Sequence, residues 1–329
     1  MRKNFSLFTS IVLMVLLIAG TNMVAAETIK INKSVNGISN IVLESYGDLI
    51  ITQGTENALT IETTEKNVDN LICNKEGRTL TLKTKGNNSG GSSFFGLFSS
   101  SDNDKLKYFL TLKTINEIAS DGSGSITVKT NLTSKNLKLK LAGSGGIDLK
   151  NVNATSIDLH CSGSGDFSSG VIAINEQAKL KLEGSGDVEL DGISASNIDV
   201  DSSGSGEFNA DSMKIDNHTS ITLTGSGDIE VEKLKTNSLD SELSSSANIE
   251  LSGIAKLQES SVTGSGNYSA SDLKSQTAKV EMSGSGDMTV NVAKSISIKT
   301  NGSGSLKIIG KPSVSSMNSS GSGSVSFVN

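Results

Sequence analysis

The chain has no tryptophan, one proline (Pro312), two histidines and two cysteines among 329 residues. Each scarcity excludes something. Two cysteines, Cys73 and Cys161, do not make a disulfide framework. They read as separate thiols, with a single long-range bridge as the alternative. His160 and His218 lie far apart in the chain, so a zinc site or a Cys/His nucleophile pair would need scattered residues to converge by accident. No arginine follows Arg78, so acids in the rest of the chain lack the basic partner a polysaccharide lyase wants. Aromatics make up 4% of the chain, and Tyr46, Tyr108 and Tyr268 are too dispersed for a sugar-stacking platform. No Gly-x-Gly pair has the third glycine of a dinucleotide fingerprint, and no Gly-x-Ser-x-Gly elbow occurs. The chain therefore reads as non-enzymatic and without a cofactor.

Charge and the first residues bear on compartment. Arg2 and Lys3 precede an unbroken apolar run from Ile11 to Ala19, and Val24-Ala25-Ala26 offers small residues before Glu27. That is the layout of a cleaved secretory signal peptide over residues 1–26. The run is shorter than the roughly 20 residues of a bilayer span, and no later stretch is long enough, so the mature chain is expected to have no membrane span. Losing Arg2 and Lys3 leaves 27 basic against 35 acidic side chains, a net charge of −8. Nucleic acid and anionic membrane surfaces both need a positive field, so this charge disfavours both as partners unless a basic patch is local.

What the chain has in abundance is glycine, 34 in all, and most of it is periodic. A Gly-Ser-Gly triplet recurs at a nearly constant interval of about 20 residues. Its glycines are Gly122 and Gly124, Gly143 and Gly145, Gly163 and Gly165, Gly184 and Gly186, Gly204 and Gly206, Gly225 and Gly227, Gly264 and Gly266, Gly284 and Gly286, Gly302 and Gly304, and Gly321 and Gly323. Ser245-Ser246-Ala247 is a degenerate copy in the one gap. A repeat this regular defines the architecture. Short runs of period-2 alternation enter each triplet ("IDLH", "KLKL", "KVEM") and leave it ("GIDL", "DVEL", "DIEV"), which predicts half-buried strands. The glycines would permit positive φ at a tight corner, and the serine between them would bond local backbone.

One such unit cannot bury its apolar stripe alone, whereas stacked units can. The reading is an all-β parallel β-solenoid over 119–329, with about 4.8 Å per coil. The competing antiparallel meander would favour Asn-Gly or Asp-Gly turns. Phe167 and Phe208 recur two triplets apart, and like residues stack well on like. A paired coil holding two triplets is therefore the alternative to a coil holding one. Residues 27–118 lack the triplet but keep the strand grammar. They read as part of the same sheet system or a cap on it, carrying a flexible Gly/Ser loop at 86–105 with Phe94, Phe95, Leu97 and Phe98 at its tip.

The residues after the triplets are acidic or amide: Asp166, Asp187, Glu207, Asp228, Asn248, Asn267 and Asp287. Stacked coils would place the carboxylates of Asp166, Asp187, Glu207, Asp228 and Asp287 in a ladder of like charge, which is destabilising. A divalent cation with oxygen ligands would relieve it. The other reading is a solvated row that fans outward or accepts bonds from turn amides.

Repeated "GSGD" followed by an alternating apolar pair, with "SYGDLIITQGTENALTIETTEKNVDNLICNKEGRTLTLKT" upstream, resembles the auto-transporter adhesin family with a head GIN domain. The resemblance covers essentially the whole chain beyond the signal peptide. It implies a right-handed parallel β-helix with triplets at the turns, and an exported protein of Gram-negative bacteria suited to adhesion. The end, "SSGSGSVSFVN", reads as another repeat edge and not as a membrane-embedded barrel or coiled-coil anchor, which counts against surface attachment by this chain itself. The expected function is an adhesin-like or structural rod at the cell surface, outside the cell or in the periplasm, with a cell-surface, matrix or glycan partner. The alternatives are a carbohydrate-active β-helix enzyme and a periplasmic envelope scaffold. The open edge at "SVSFVN" predicts self-association through the solenoid ends.

Overall fold

A computed structural model describes residues 28–85 and 106–328. The signal-peptide segment 1–26 and the Gly/Ser segment 86–105 lie outside the described residues. The alternation read from the sequence becomes burial. In β14 (Gln177–Leu182) and β15 (Val188–Ser202), Leu180, Leu182, Val188 and Leu190 are buried while Lys179, Lys181 and Glu189 face solvent. Leu180 pairs in parallel with Leu159 of β12 (Val152–Cys161) and with Val200 of β15, so neighbouring strands come from successive coils, one triplet apart. This is a β-solenoid. Both the antiparallel meander and the paired two-triplet coil are thereby excluded for the repeat region.

Each coil has three straight stretches. A first side enters the corner (Ile157–Cys161), a second leaves it (Phe167–Ser169), and a narrow third follows (Ile172–Ile174) before the next coil begins. β13 (Phe167–Ile174) covers both the second and third sides. On the second side one inward column runs Ile147, Phe167, Val188, Phe208, Ile229, Ile249, Tyr268, Met288. The aromatics at 167 and 208 thus do not stack on each other; each sits between aliphatics. Val188 between the two rings, and Ile147 and Ile229 beyond them, let large and smaller side chains alternate along this column to fill it at native density.

The corners correct the expected role of glycine. Among the triplet glycines only Gly321 has a positive φ, at 96°. What the others provide is closeness. A Cβ on Gly184 would fall 2.0 Å from the carbonyl oxygen of Gly163 in the coil below, and one on Gly227 would fall 1.9 Å from that of Gly206. The central serines donate their backbone N–H to the same ladder, as Ser185 does to Gly163 O at 2.9 Å and Ser226 to Gly204 O at 2.8 Å, with their side chains exposed. The triplet therefore repeats because backbone stacks on backbone at the corner with no room for a side chain.

The N-terminal region shares the core of the repeats but threads differently. β2 (Asn40–Glu44) and β3 (Asp48–Gln53) form a coil whose corner is Ser45-Tyr46-Gly47, directly beneath Gly122 to Gly124. β2 pairs in parallel with both β6 (Thr79–Thr84) and β8 (Glu117–Ser120), and β3 with both β7 (Lys107–Leu112) and β9 (Ile126–Val128). A coil written later in the chain, β6 with β7, therefore stacks below one written earlier. Below it β5 (Leu71–Glu76) pairs antiparallel with β6, β4 (Ala58–Thr64) antiparallel with β7, and β1 (Thr28–Ser34) antiparallel with β4. This end of the rod is closed by antiparallel strands. At the other end, β23 (Ser313–Gly321) and β24 (Ser324–Val328) carry no further coil among the described residues. Val314, Met317 and Phe327 occupy core columns there, above Ile296, Ile298 and Ile308, yet are 45, 51 and 49% exposed.

Cys73 and Cys161 are free thiols. Burial pushes the Cys161 thiol and the Tyr108 hydroxyl each up to about 12, from ordinary values of 9.0 and 10.0. The folded protein keeps these protons where the unfolded chain has released them, so their contribution to stability is full below about pH 9 and is lost as pH rises toward 12. Circular dichroism through an alkaline titration should show unfolding within that window. In parallel, iodoacetamide at pH 8 should label Cys161 only in denaturant. Native labelling at the unfolded rate would contradict its burial.

Candidate functional site

The structure brings the predicted acids together as a line along the corner, one per coil, and gives them a role. Asp166 Oδ1 accepts the backbone N–H of Asp187 at 3.0 Å, and Asp187 Oδ1 accepts that of Glu207 at 2.9 Å. Asp228 Oδ1 accepts from Asn248 at 2.7 Å, Asn267 Oδ1 from Asp287 at 3.3 Å, and Asp287 Oδ1 from Ser305 at 2.8 Å. Asp48 does the same for Ser125 at 3.1 Å, which marks "SYGD" as the first corner copy. The like-charge problem is eased from within the chain, since the Asn248 amide donates to both Asp228 oxygens at 3.2 and 3.3 Å. Glu207, one methylene longer, makes no such bond among the described residues. No group of three or more His, Cys, Asp or Glu among the described residues is arranged to hold a metal ion.

Asp187→Ala should cost about 1 kcal/mol, the usual net worth of a single hydrogen bond. Asp187→Asn should be nearly neutral, because Asn267 already fills this role at its own corner. Urea denaturation with and without chelator checks both. A chelator-sensitive midpoint lost in Asp187→Asn would restore the cation reading.

Two open troughs lie on the flat sides instead. On the first side, Ser220, Asp240, Glu259 and Lys279 form one wall and Thr222, Glu242, Ser261 and Glu281 the other. The floor is Ile221, Ser241 and Ser260, and the volume is about 270 Å³. On the second side, Asp148, Ser168, Glu189 and Asn209 face Gly170, Asp191 and Asp211 across Ser169 and Leu190, enclosing about 420 Å³. Both are rails of hydroxyls, amides and carboxylates at coil spacing, with strand backbone between them. Such rails suit hydrogen bonding to an extended polar ligand.

Behind the first trough the core itself turns polar. The inward column Leu139, Leu159, Leu180, Val200, Ile221 continues as Ser241 and Ser260 before returning to Val280. Their hydroxyls lie 3.1 and 3.0 Å from Tyr268 Oη, and Gln258 Nε2 lies 3.0 Å from it. Gln258 Oε1 has no hydrogen-bond partner among the described residues. Burial raises the Tyr268 hydroxyl above its ordinary range. This network belongs to the coils around the degenerate corner, where Ser245 Oγ accepts Ala247 N–H at 3.2 Å. The sequence carried a signal for it: "SELSSSA" and "QESSV" put serine at positions where other repeats have Leu or Val.

Two acids of the first trough are held in ion pairs, Glu259 with Lys279 at 3.1 Å and Glu281 with Lys299 at 2.7 Å. Lys299 holds the Glu281 carboxyl below its usual range, and Lys181, then His160, do the same to Glu183. A proton-donating acid needs the opposite shift. His160 Nε2 contacts Glu183 at 2.5 Å and His218 Nε2 lies 3.7 Å from Asp240, both partly exposed. No helix among the described residues is long and apolar enough to cross a membrane.

No curated protein matches the chain. Among solved structures it is similar to a "putative adhesin" from Bacteroides fragilis, with 18% identity over 92% of this chain and 98% of that one and a TM-score of 0.33. A "putative adhesin" from Parabacteroides distasonis shares 16% identity over 92 and 98% of the two chains, TM-score 0.38. One from Parabacteroides merdae shares 15% over 93 and 98%, TM-score 0.34. A family model matches residues 38–216 and 209–312, which takes in the corner ladder and both troughs. The chain belongs to the family described as "Putative auto-transporter adhesin, head GIN domain".

Proposed function

We propose that the protein is an exported, non-enzymatic binding rod that engages a cell-surface, matrix or glycan partner along its flat sides. The observation that carries this is the pair of polar troughs, whose chemistry repeats from coil to coil and singles out no reacting group. Weak contacts repeated along a rod combine by multivalency, so an extended partner fits better than a small molecule. Export is supported by the basic head, apolar run and small residues at the N-terminus, and by the adhesin family itself. A Gram-negative envelope is the setting this implies.

The test is retention of the purified protein on immobilised polysaccharides and on whole cells, with Glu242→Ala/Glu259→Ala and Asp191→Ala/Asp211→Ala as trough variants. Binding that falls at least about fivefold in one pair, with the fold intact, supports the reading. Release of reducing sugar or of unsaturated product from the polysaccharide would overturn the non-enzymatic part. Protease shaving of intact cells, with a periplasmic control, separates an adhesin from a periplasmic scaffold. Digestion while the control survives places the rod outside, and protection until the outer membrane is broken removes adhesion.

We further propose that the uncovered coil β23–β24 pairs with a second copy. Residues 313–328 contain no charged side chain, so two such edges meet without the repulsion that a net-negative chain imposes elsewhere. They also lack the edge lysines that discourage strand pairing. Sedimentation velocity should show a dimer that Met317→Lys/Phe327→Lys converts to monomer. A strict monomer at tens of micromolar would count against it.

A further inference from the structure

The third side of the coil is narrow and shows one outward residue per layer. Its outward column is neutral as far as Ser194 and then reads Lys214, Lys235, Ile254, Lys274 on consecutive coils. Two features set this strip apart, although like charges also meet elsewhere on the rod, as Glu230 with Glu250 and Asp240 with Glu259 do.

The first is charge. On the first side, lysines alternate with acids from coil to coil, as in Glu117, Lys138, Asp158, Lys179, Asp199. On the third side Lys214 and Lys235 are direct neighbours, an arrangement that costs stability. Among the described residues no carboxylate is within ion-pair reach of Lys214, Lys235, Lys256 or Lys274. Asp216, Glu232 and Asp272 are exposed on the flanking bends and leave the strip itself positive.

The second is the isoleucine. The inward column beside this strip runs Met213, Leu234, Gly253, Leu273, so a glycine stands where each neighbouring coil buries a large apolar side chain. Gly253 has φ +126°, and a Cβ on it would fall 2.0 Å from the carbonyl oxygen of Leu234. Ile254, in register with Lys235 and Lys274, is 56% exposed, and Leu257 follows at 38% with Lys256 between them. The coil thus leaves a core position empty of side chain and sets two branched apolar groups on the surface, Ile254 between Lys235 and Lys274 and Leu257 between Ser238 and Thr277.

We propose that this strip docks on an anionic lipid surface, with Ile254 and Leu257 entering below the headgroups and Lys214, Lys235, Lys256 and Lys274 meeting phosphates. A soluble polyanion would use the lysines and leave the apolar pair in water. A lipid surface uses both. The lysine column and Ile254 are on a different side from the first trough, while Leu257 stands at the edge of the first side, two residues before Glu259, and the proposal stands whether or not the troughs bind a glycan.

The experiment is flotation of the purified protein with two kinds of vesicle, at low and at physiological salt. One kind is pure phosphatidylcholine; the other holds one phosphatidylglycerol for every two phosphatidylcholines. Recovery with the anionic vesicles alone is expected, falling with salt. Ile254→Ser/Leu257→Ser, which changes no charge and touches no buried residue, should lower the bound fraction about fivefold. Lys214→Gln/Lys235→Gln should lower it by a similar factor. Thermal melts confirm that both variants fold. Absence of binding to anionic vesicles at low salt would overturn the proposal. So would binding that Ile254→Ser/Leu257→Ser leaves unchanged, because that would be a charge-only site for a soluble polyanion.

Discussion

Phe208→Ala should destabilise the protein by about 4 kcal/mol, within the range for emptying a fully buried phenylalanine site. The ring is 0% exposed and sits between Val188 and Ile229 in the second-side column, in the middle of the rod. Both neighbours are held by backbone ladders, so they cannot close over the gap. In a stack whose stability is a sum of neighbour terms, a weakened middle layer also loosens the coupling between the two halves. Urea denaturation followed by circular dichroism should therefore show a lower midpoint and a broader transition. Phe208→Leu, which keeps most of the volume, should cost less than about 1.5 kcal/mol. A loss for Phe208→Ala no larger than that of Phe208→Leu would mean that the ring does not fill the space between its neighbouring coils.

Gly184→Ala should cost about 3 kcal/mol, as severe overpacking does. The added Cβ meets the Gly163 carbonyl oxygen at 2.0 Å, and that oxygen is backbone locked in the corner ladder. Two other glycines separate the causes. At Gly192 the nearest atom is Ser212 Oγ at 2.5 Å, on a side chain that can rotate, so Gly192→Ala should be mild. At Gly37 nothing lies within 4 Å but φ is +73°, so Gly37→Ala should cost about 1 kcal/mol from conformation alone. The expected ranking puts Gly184→Ala well above both. Equal losses at Gly184 and Gly37 would return the corner glycines to the conformational role that the period alone had suggested. Where the chain does carry Cβ atoms in this line, at Ser245 and Ala247, the corner adds a bond of its own from Ala247 N–H to Ser245 Oγ, as Ser45 Oγ does for Gly47.

The sequence by itself determined the strands, the corners and the preference for a parallel stack, which follow from a period of 2 within the strand and a repeat along the chain. It left open whether a coil holds one triplet or two, and the pairing of Leu180 with Leu159 and Val200 decided for one. It also located the corner acids, since they follow the triplets directly. Tertiary structure decided everything that depends on which residue lies above which. Only the stack shows that corner glycines serve close approach, that Phe167 and Phe208 alternate with aliphatics, and that each corner aspartate caps the next coil's N–H. The trough walls and the polar core at Tyr268 likewise join residues one coil apart, whose kinship is invisible along the chain. The N-terminal threading, in which β6 and β7 slip beneath β2 and β3, breaks the one-dimensional order on which the repeat reading rests. Ile254 belongs to the same class: alternation makes it an outward strand residue, and only the stack places it between Lys235 and Lys274.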